Sequence, residues 1–188
     1  YGYLLDFDET VALALSSKTF GLRFKGDAEV QEGLKLLYTA EYARQSDHGD
    51  NPTDYSADYY TLEGGAGYKE LTAKLGYEVL GSDNGGTTAF QTPLATLHKF
   101  NGWADKFLTT PATGLEDAYA SIGYKVNGVN EALDGTQFTI VYHDFSADSG
   151  GADYGSEWNA SIGRNFMEHY SVLLKFADYK NQRNKNCS

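Results

Sequence analysis

The sequence predicts an all-β fold: an antiparallel, up-and-down transmembrane β-barrel, present here as a partial barrel of about 8–10 strands. Residues 1–188 read as one domain, a piece of a larger barrel. Three observations carry this expectation. Apolar and polar residues alternate with period two along most of the chain. The composition is rich in tyrosine and glycine and poor in proline. The links between alternating stretches are long and short by turns.

The alternation matters because successive side chains of a strand point to opposite faces. The chain opens on Tyr1-Gly2-Tyr3-Leu4-Leu5, which reads as strand. Phe20, Leu22 and Phe24 then oppose Thr19, Gly21, Arg23 and Lys25. Leu34, Leu36, Tyr38, Ala40 and Tyr42 oppose Lys35, Thr39, Glu41 and Ala43, with Leu37 as the exception. Tyr60, Leu62, Gly64 and Ala66 oppose Tyr59, Thr61, Glu63 and Gly65. The clearest case sets Leu71, Ala73, Leu75, Tyr77 and Val79 against Glu70, Thr72, Lys74, Gly76 and Glu78. Ala118 to Tyr124, Phe138 to Tyr142, Trp158 to Ile162 and Tyr170 to Phe176 repeat the pattern, for roughly nine strands.

Composition agrees. The chain has 15 Tyr, 10 Phe and 2 Trp, with 21 Gly and 3 Pro, a mixture suited to strands joined by turns. Such aromatic content excludes a disordered chain. The net charge of −11 repels phosphate backbones and argues against a nucleic-acid partner. A lone Cys187 excludes an internal disulfide. No stretch is apolar for the roughly 18 residues that a membrane helix needs, but a barrel strand crosses with about 9–11.

Long acidic links fall near 8–17, 45–56, 81–115 and 144–156, and short ones near 26–33, 67–69, 127–135 and 164–168. That asymmetry suits outer-membrane barrels, whose extracellular loops are long. If the long loops face outside, the ninth strand runs outward and a closing strand is expected beyond it. No initiator Met or signal peptide is present, so a removed leader or a longer parent chain is expected.

A soluble barrel or sandwich that binds a carbohydrate or small ligand also alternates, with its apolar face inward. The membrane reading is preferred for three reasons. The polar faces mix opposed charges with Gly and Ser. Aromatics (Tyr42, Tyr68, Tyr77, Tyr124, Tyr142, Trp158, Tyr170 and Phe176) sit near strand ends, as in interfacial girdles. The link lengths also alternate. A bilayer, with lipopolysaccharide at its surface, is then the expected partner.

Candidate lumen-lining residues are Arg23, Lys25, Lys35, Glu41, Glu63, Lys74, Glu78, Lys125 and Lys175. Cations in a pore attract anions weakly at several sites, and acids keep them moving. The bland alternative is that they are solvated and paired with each other. Segment 81–115 is expected to be a long extracellular or lumen-plugging loop. Its part 90–111 is too apolar for an ordinary solvated loop, and His98, Trp103, Asp105 and Lys106 are its plug candidates. Acidic loops holding Asp47, Asp50 and Asp54, or Asp148 and Asp153, are weak Ca²⁺ candidates without EF-hand spacing. No cofactor or other metal site is expected. No G-x-S-x-G, H-E-x-x-H or Cys/His spacing appears, and His48, His98, His143 and His169 are scattered, so catalysis is not expected.

The stretch from Phe90 to Pro111, Gly114-Leu115-Glu116-Asp117, Tyr142-His143-Asp144-Phe145, and Ala152-Asp153-Tyr154-Gly155-Ser156-Glu157-Trp158 together resemble the carboxy-terminal half of outer-membrane proteins of the alginate-export family. The resemblance implies a monomeric barrel in a Gram-negative outer membrane. It further implies a charged lumen, loops that plug or gate it, and passage of an anionic polysaccharide or small anions. It transfers no residue role.

Overall fold

The computed structural model describes residues 1–83, 85–95, 101–166 and 169–181. Among them, nine strands form one antiparallel sheet: β1 (Gly2–Leu5), β2 (Ser17–Gln31), β3 (Leu34–Asp47), β4 (Ser56–Tyr68), β5 (Leu71–Leu80), β6 (Leu115–Lys125), β7 (Gln137–Ser146), β8 (Asp153–Phe166) and β9 (Tyr170–Lys180). Each strand pairs with its neighbour in sequence, in order from β1 to β9. The topology is therefore up-and-down, and the sheet is open between β1 and β9. A short 3-10 turn at Leu13–Leu15 lies between the first two strands.

The register aligns the alternating residues of every strand into two continuous faces. One cross-strand row runs Tyr38, Gly64, Leu75, Ala120, Tyr142 and Trp158. The opposite face carries the row Gly76, Tyr119, His143 and Glu157. Because the side-chain period is two, a slip of one residue would exchange the faces wholesale, so the pattern pins the register.

Exposure decides which face meets the surroundings. Leu22 is 77% exposed, Leu62 67% and Leu75 69%. On the opposite face Thr39 is 5% exposed, and Gln45, Glu157 and Asn159 are 0%. The chain thus turns its apolar face outward and its polar one inward, where Gln45, Asp117, Glu157 and Asn159 are buried while Arg23, Lys25 and Lys35 stay exposed. A soluble carbohydrate-binding barrel would show the reverse, since soluble monomers rarely expose an apolar surface this broad.

Along the outward face of β2–β9, charged residues are confined to the strand ends. Lys18, Arg44, Asp58, Glu116, Asp144, Asp178 and Lys180 stand at one end and Arg164 at the other. Aromatics border the uncharged band. Tyr60 and Tyr68 on β4 lie eight residues apart, about 27 Å along a strand at about 3.4 Å per residue. A tilt of about 40° reduces this to about 20 Å, close to the roughly 25 Å apolar band of membrane barrels. The aromatics singled out from sequence all project from this face. Tyr42 also donates its hydroxyl to Asp58 at 2.7 Å, the wet tip that an interfacial tyrosine needs.

Several links are shorter than the sequence suggests. The 26–33 link is mostly strand, because β2 continues to Gln31 and leaves a two-residue turn. The charges there, Asp27 and Glu29, occupy the polar face while Ala28 and Val30 keep the apolar one. Likewise the 144–156 link shrinks to 147–152 and the 45–56 link to 48–55. Polar strand ends still pair in the ladder and rise beyond the apolar band. The 81–114 segment remains the longest connection.

Placing Arg at Leu62, mid-band, is expected to destabilise the reconstituted protein by about 2–4 kcal/mol in equilibrium unfolding from lipid vesicles. Arg at the adjacent Thr61 should cost far less. Equal costs would contradict the orientation of the sheet.

Candidate functional site on the polar face

The polar face gathers its charges into pairs. Arg23 on β2 reaches Glu41 on β3 at 2.9 Å, and Lys74 on β5 reaches Glu63 on β4 at 3.1 Å. Both are cross-strand contacts set by register, since Arg23 lies opposite Glu41 and Gly65 lies opposite Lys74. Tyr119 donates its hydroxyl to the second oxygen of Glu63 at 3.0 Å. It can lean over because its neighbour is Gly76, where a Cβ would fall 2.1 Å from the tyrosine ring. Tyr59 donates to Glu78 at 2.6 Å, and His143 Nδ1 lies 2.9 and 3.0 Å from the two oxygens of Asp117.

These residues surround a cavity of about 580 Å³. Arg23, Lys25 and Lys74 supply its cations, and Glu63, Glu78 and Asp117 its acids. Trp103, Tyr59 and Tyr119 add aromatic rings. A solute there would meet both signs of charge, in a setting where side chains are held by neighbours rather than freely solvated. Exposed ion pairs contribute only about 0–1 kcal/mol. The value of these pairs lies in fixing where the charges stand.

The long segment after β5 supplies part of this wall. Its two ends are anchored in a small apolar cluster at the loop end of the polar face. Tyr55, Ala57, Leu80, Phe90, Leu115 and Phe145 are buried there, with Phe107, Tyr154 and Tyr179 packed against them. Phe107 stacks obliquely on Phe145 with ring centroids 4.7 Å apart. The first end is also held by Gln45, which is fully buried. Its amide donates to Thr19 Oγ at 3.1 Å and to the Gln91 carbonyl at 3.0 Å, and its oxygen accepts from Gln91 N at 2.8 Å. Tyr55 donates to the same oxygen at 3.0 Å. Burial pushes the Tyr55 hydroxyl up to about 12, so it remains a neutral donor at ordinary pH. Between those ends, residues 101–104 lie against the strands. Asn101 donates to Glu78 at 2.9 Å, and the backbone N–H groups of Trp103 and Ala104 donate to Glu157 at 2.6 and 2.9 Å.

All nine residues expected to line a lumen lie on the polar face. Arg23, Lys25, Glu63, Lys74 and Glu78 border the cavity itself. Glu41 supports Arg23, while Lys35 stands near the turns beside Asp27 at 3.8 Å. Lys175 sits over the Trp103 ring at 4.7 Å, and Lys125 ends β6. Of the plug candidates, Trp103 borders the cavity and Lys106 packs over Tyr179 at 5.5 Å. Asp105 sits beside them in a left-handed backbone conformation, with φ 53°. His98 lies outside the described residues. Sequence reasoning missed Asp117, His143, Glu157 and Asn159. Their signal was parity: each falls on the polar side of its strand.

The acidic loops serve as hydrogen-bond acceptors. Asp148 accepts from Ser82 N and Oγ at 2.8 and 3.0 Å, Asp153 from Gly155 N at 2.7 Å, and Asp47 from Tyr55 N at 3.4 Å. Among the described residues, no three Asp, Glu, His or Cys side chains gather to hold a metal ion. Asp83 anchors the turn after β5. It accepts from Thr87 N at 2.8 Å, Thr88 N at 3.3 Å and Thr87 Oγ at 3.0 Å. The backbone N–H of Thr87, first among these donors, holds its carboxyl below the usual carboxylate range.

An up-and-down sheet with an apolar outer face and a charged inner one is the architecture of an outer-membrane β-barrel. Comparison with solved structures agrees. The chain is similar to OccAB3 of Acinetobacter baumannii, an outer-membrane β-barrel, with a TM-score of 0.62 and 16% identity. The match covers 92% of this chain and 45% of that one. No protein-family model matches the chain, and no curated protein matches it by sequence. The likeness therefore concerns the barrel fold.

Two outcomes follow for the anchored segment. Replacing Gln45 with Ala strands the half-buried N–H of Gln91 and should cost about 1–3 kcal/mol, with faster amide exchange at Gln91. The Asp83 turn should keep slow exchange at Thr87 and Thr88 while pH stays above the usual carboxylate range. Because the folded value is depressed, protection should be lost as pH falls through it. In Asp83→Asn, protection should be weak even at neutral pH.

Proposed function

We propose that the chain forms part of a porin-like channel in a bacterial outer membrane, with the polar face as its lumen and segment 81–115 folding partly into it. The observation that supports this reading most is the inverted polarity: an uncharged, exposed outer band against a charged inner face. A bilayer is the solvent that such an outer face suits, and lipopolysaccharide would flank its charged loop end. Passage rather than catalysis is the reading, and no cofactor is invoked.

Arg23, Lys25 and Lys74 on the cavity wall support charged solutes, with anions drawn to these cations. The alginate-export resemblance extends this to an anionic polysaccharide, and small anions suit the same chemistry. The paired acids Glu41 and Glu63 would keep such binding weak enough for release.

The test is conductance of the full-length protein in planar bilayers under a salt gradient. Exchanging Arg23, Lys25 and Lys74 together for Gln should shift the reversal potential toward cation preference, by several-fold in permeability ratio. Unaltered selectivity would contradict the lumen placement. Absence of any current, or monodisperse folding in detergent-free buffer, would contradict the channel itself.

A further inference from the structure

Glu157 is fully buried on the polar face of β8, toward the strand's loop end. One of its oxygens accepts three N–H groups: from Trp103 at 2.6 Å, Ala104 at 2.9 Å and Asn159 Nδ2 at 2.7 Å. Asn159 Oδ1 accepts the Trp103 N–H as well, at 2.9 Å. Two successive backbone N–H groups converging on one carboxylate form a small anion-binding nest. The carboxylate thus replaces the partners that the segment's backbone would otherwise lack away from water.

The fit also requires Gly102. Its φ is +86°, and a Cβ there would lie 2.7–2.9 Å from the Glu157 carboxylate. Asn101, with φ 53°, adopts a left-handed conformation without being glycine. The turn therefore holds a conformation it would not favour alone. The second Glu157 oxygen is buried and has no hydrogen-bond partner among the described residues. Partly satisfied polar networks are weaker than complete ones. This contact is one that can break.

The layout of the segment points the same way. Its ends are seated by apolar burial, at Phe90 and Phe107. Its described middle part is held by polar contacts from Glu157, and by Asn101 to Glu78 and Asp117 at 2.9 and 3.4 Å. Those acids come from three different strands, β8, β5 and β6. Anchored ends with a polar-held middle permit the middle to leave while the ends stay.

We propose that Glu157 is a latch, an autoinhibitory contact that holds residues 101–104 across the polar face, so that its release frees these residues and widens the passage. The widening rests on the channel reading above; the hold itself does not.

The experiment uses the full-length protein reconstituted in vesicles, with Cys187→Ser and a reporter, Ala104→Cys. The rate of labelling by a membrane-impermeant maleimide reads the hold, and single-channel conductance reads the passage. Glu157→Ala removes the latch from the wall. Gly102→Ala breaks the fit from the segment, outside any strand, and decides the matter if the first variant fails to fold. Both should speed labelling about tenfold or more, the scale set by losing charge-assisted hydrogen bonds. Both should also raise conductance, while Asp178→Asn, on the outer face, changes neither. Labelling unaltered in both variants, with the barrel intact by heat-modifiable gel migration, overturns the latch. Faster labelling with unaltered conductance overturns its role as a gate. Faster labelling in a protein that never conducts supports the hold and sinks the channel reading instead.

Discussion

The structure depends on sorting side chains by face, apolar outward and polar inward, as the bilayer proposed above would require. In a bilayer every backbone N–H and C=O must find a partner within the protein, which a ladder of antiparallel strands supplies. The same medium forbids charge on the outward face except where strand ends reach water. Arg44, Asp58, Glu116 and Asp144 obey this at one end and Arg164 at the other. Everything polar must then turn inward. There it collects at high density and is largely paired across strands.

That crowding explains the polar face. Opposed charges settle into cross-strand pairs, such as Arg23 with Glu41 and Lys74 with Glu63. Tyr59 lends its hydroxyl to Glu78 and Tyr119 to Glu63. Acids on the β5–β8 side are met instead by the long segment, whose Asn101 side chain and backbone N–H groups supply donors. The segment thus completes the wall chemically as well as sterically. Apolar residues inside, such as Leu80, Leu115 and Phe145, cluster at the loop end, where they seat Phe90 and Phe107.

Much of the fold was legible in the sequence because its signal is local. Leu71 to Val79 alternates without a break, and β5 forms there. Ends were misjudged where polar residues continue in the ladder: Gly26 to Gln31 looks like a link by composition but pairs as strand. The facing of the sheet was not contained in alternation, which reads identically in an inside-out barrel. The site was legible in part. Lys74 and Glu63 stand out as charges on an otherwise small-residue face. Glu157 and Asp117 looked like ordinary acids, because what distinguishes them is a segment more than ten residues away in sequence, brought back by the fold. Trp103 was noticed only because its surroundings were too apolar for a solvated loop.

The chain carries two tryptophans, one for each face: Trp158 on the outer band and Trp103 on the polar side. Fluorescence quenching by lipids brominated on their acyl chains therefore tests the central claim directly. The measurement uses reconstituted full-length protein in which either Trp103 or Trp158 is the sole tryptophan. Trp158 emission should be strongly quenched and Trp103 emission nearly unchanged. Equal quenching of the two, or quenching of Trp103 alone, would contradict the assignment of the apolar face to lipid.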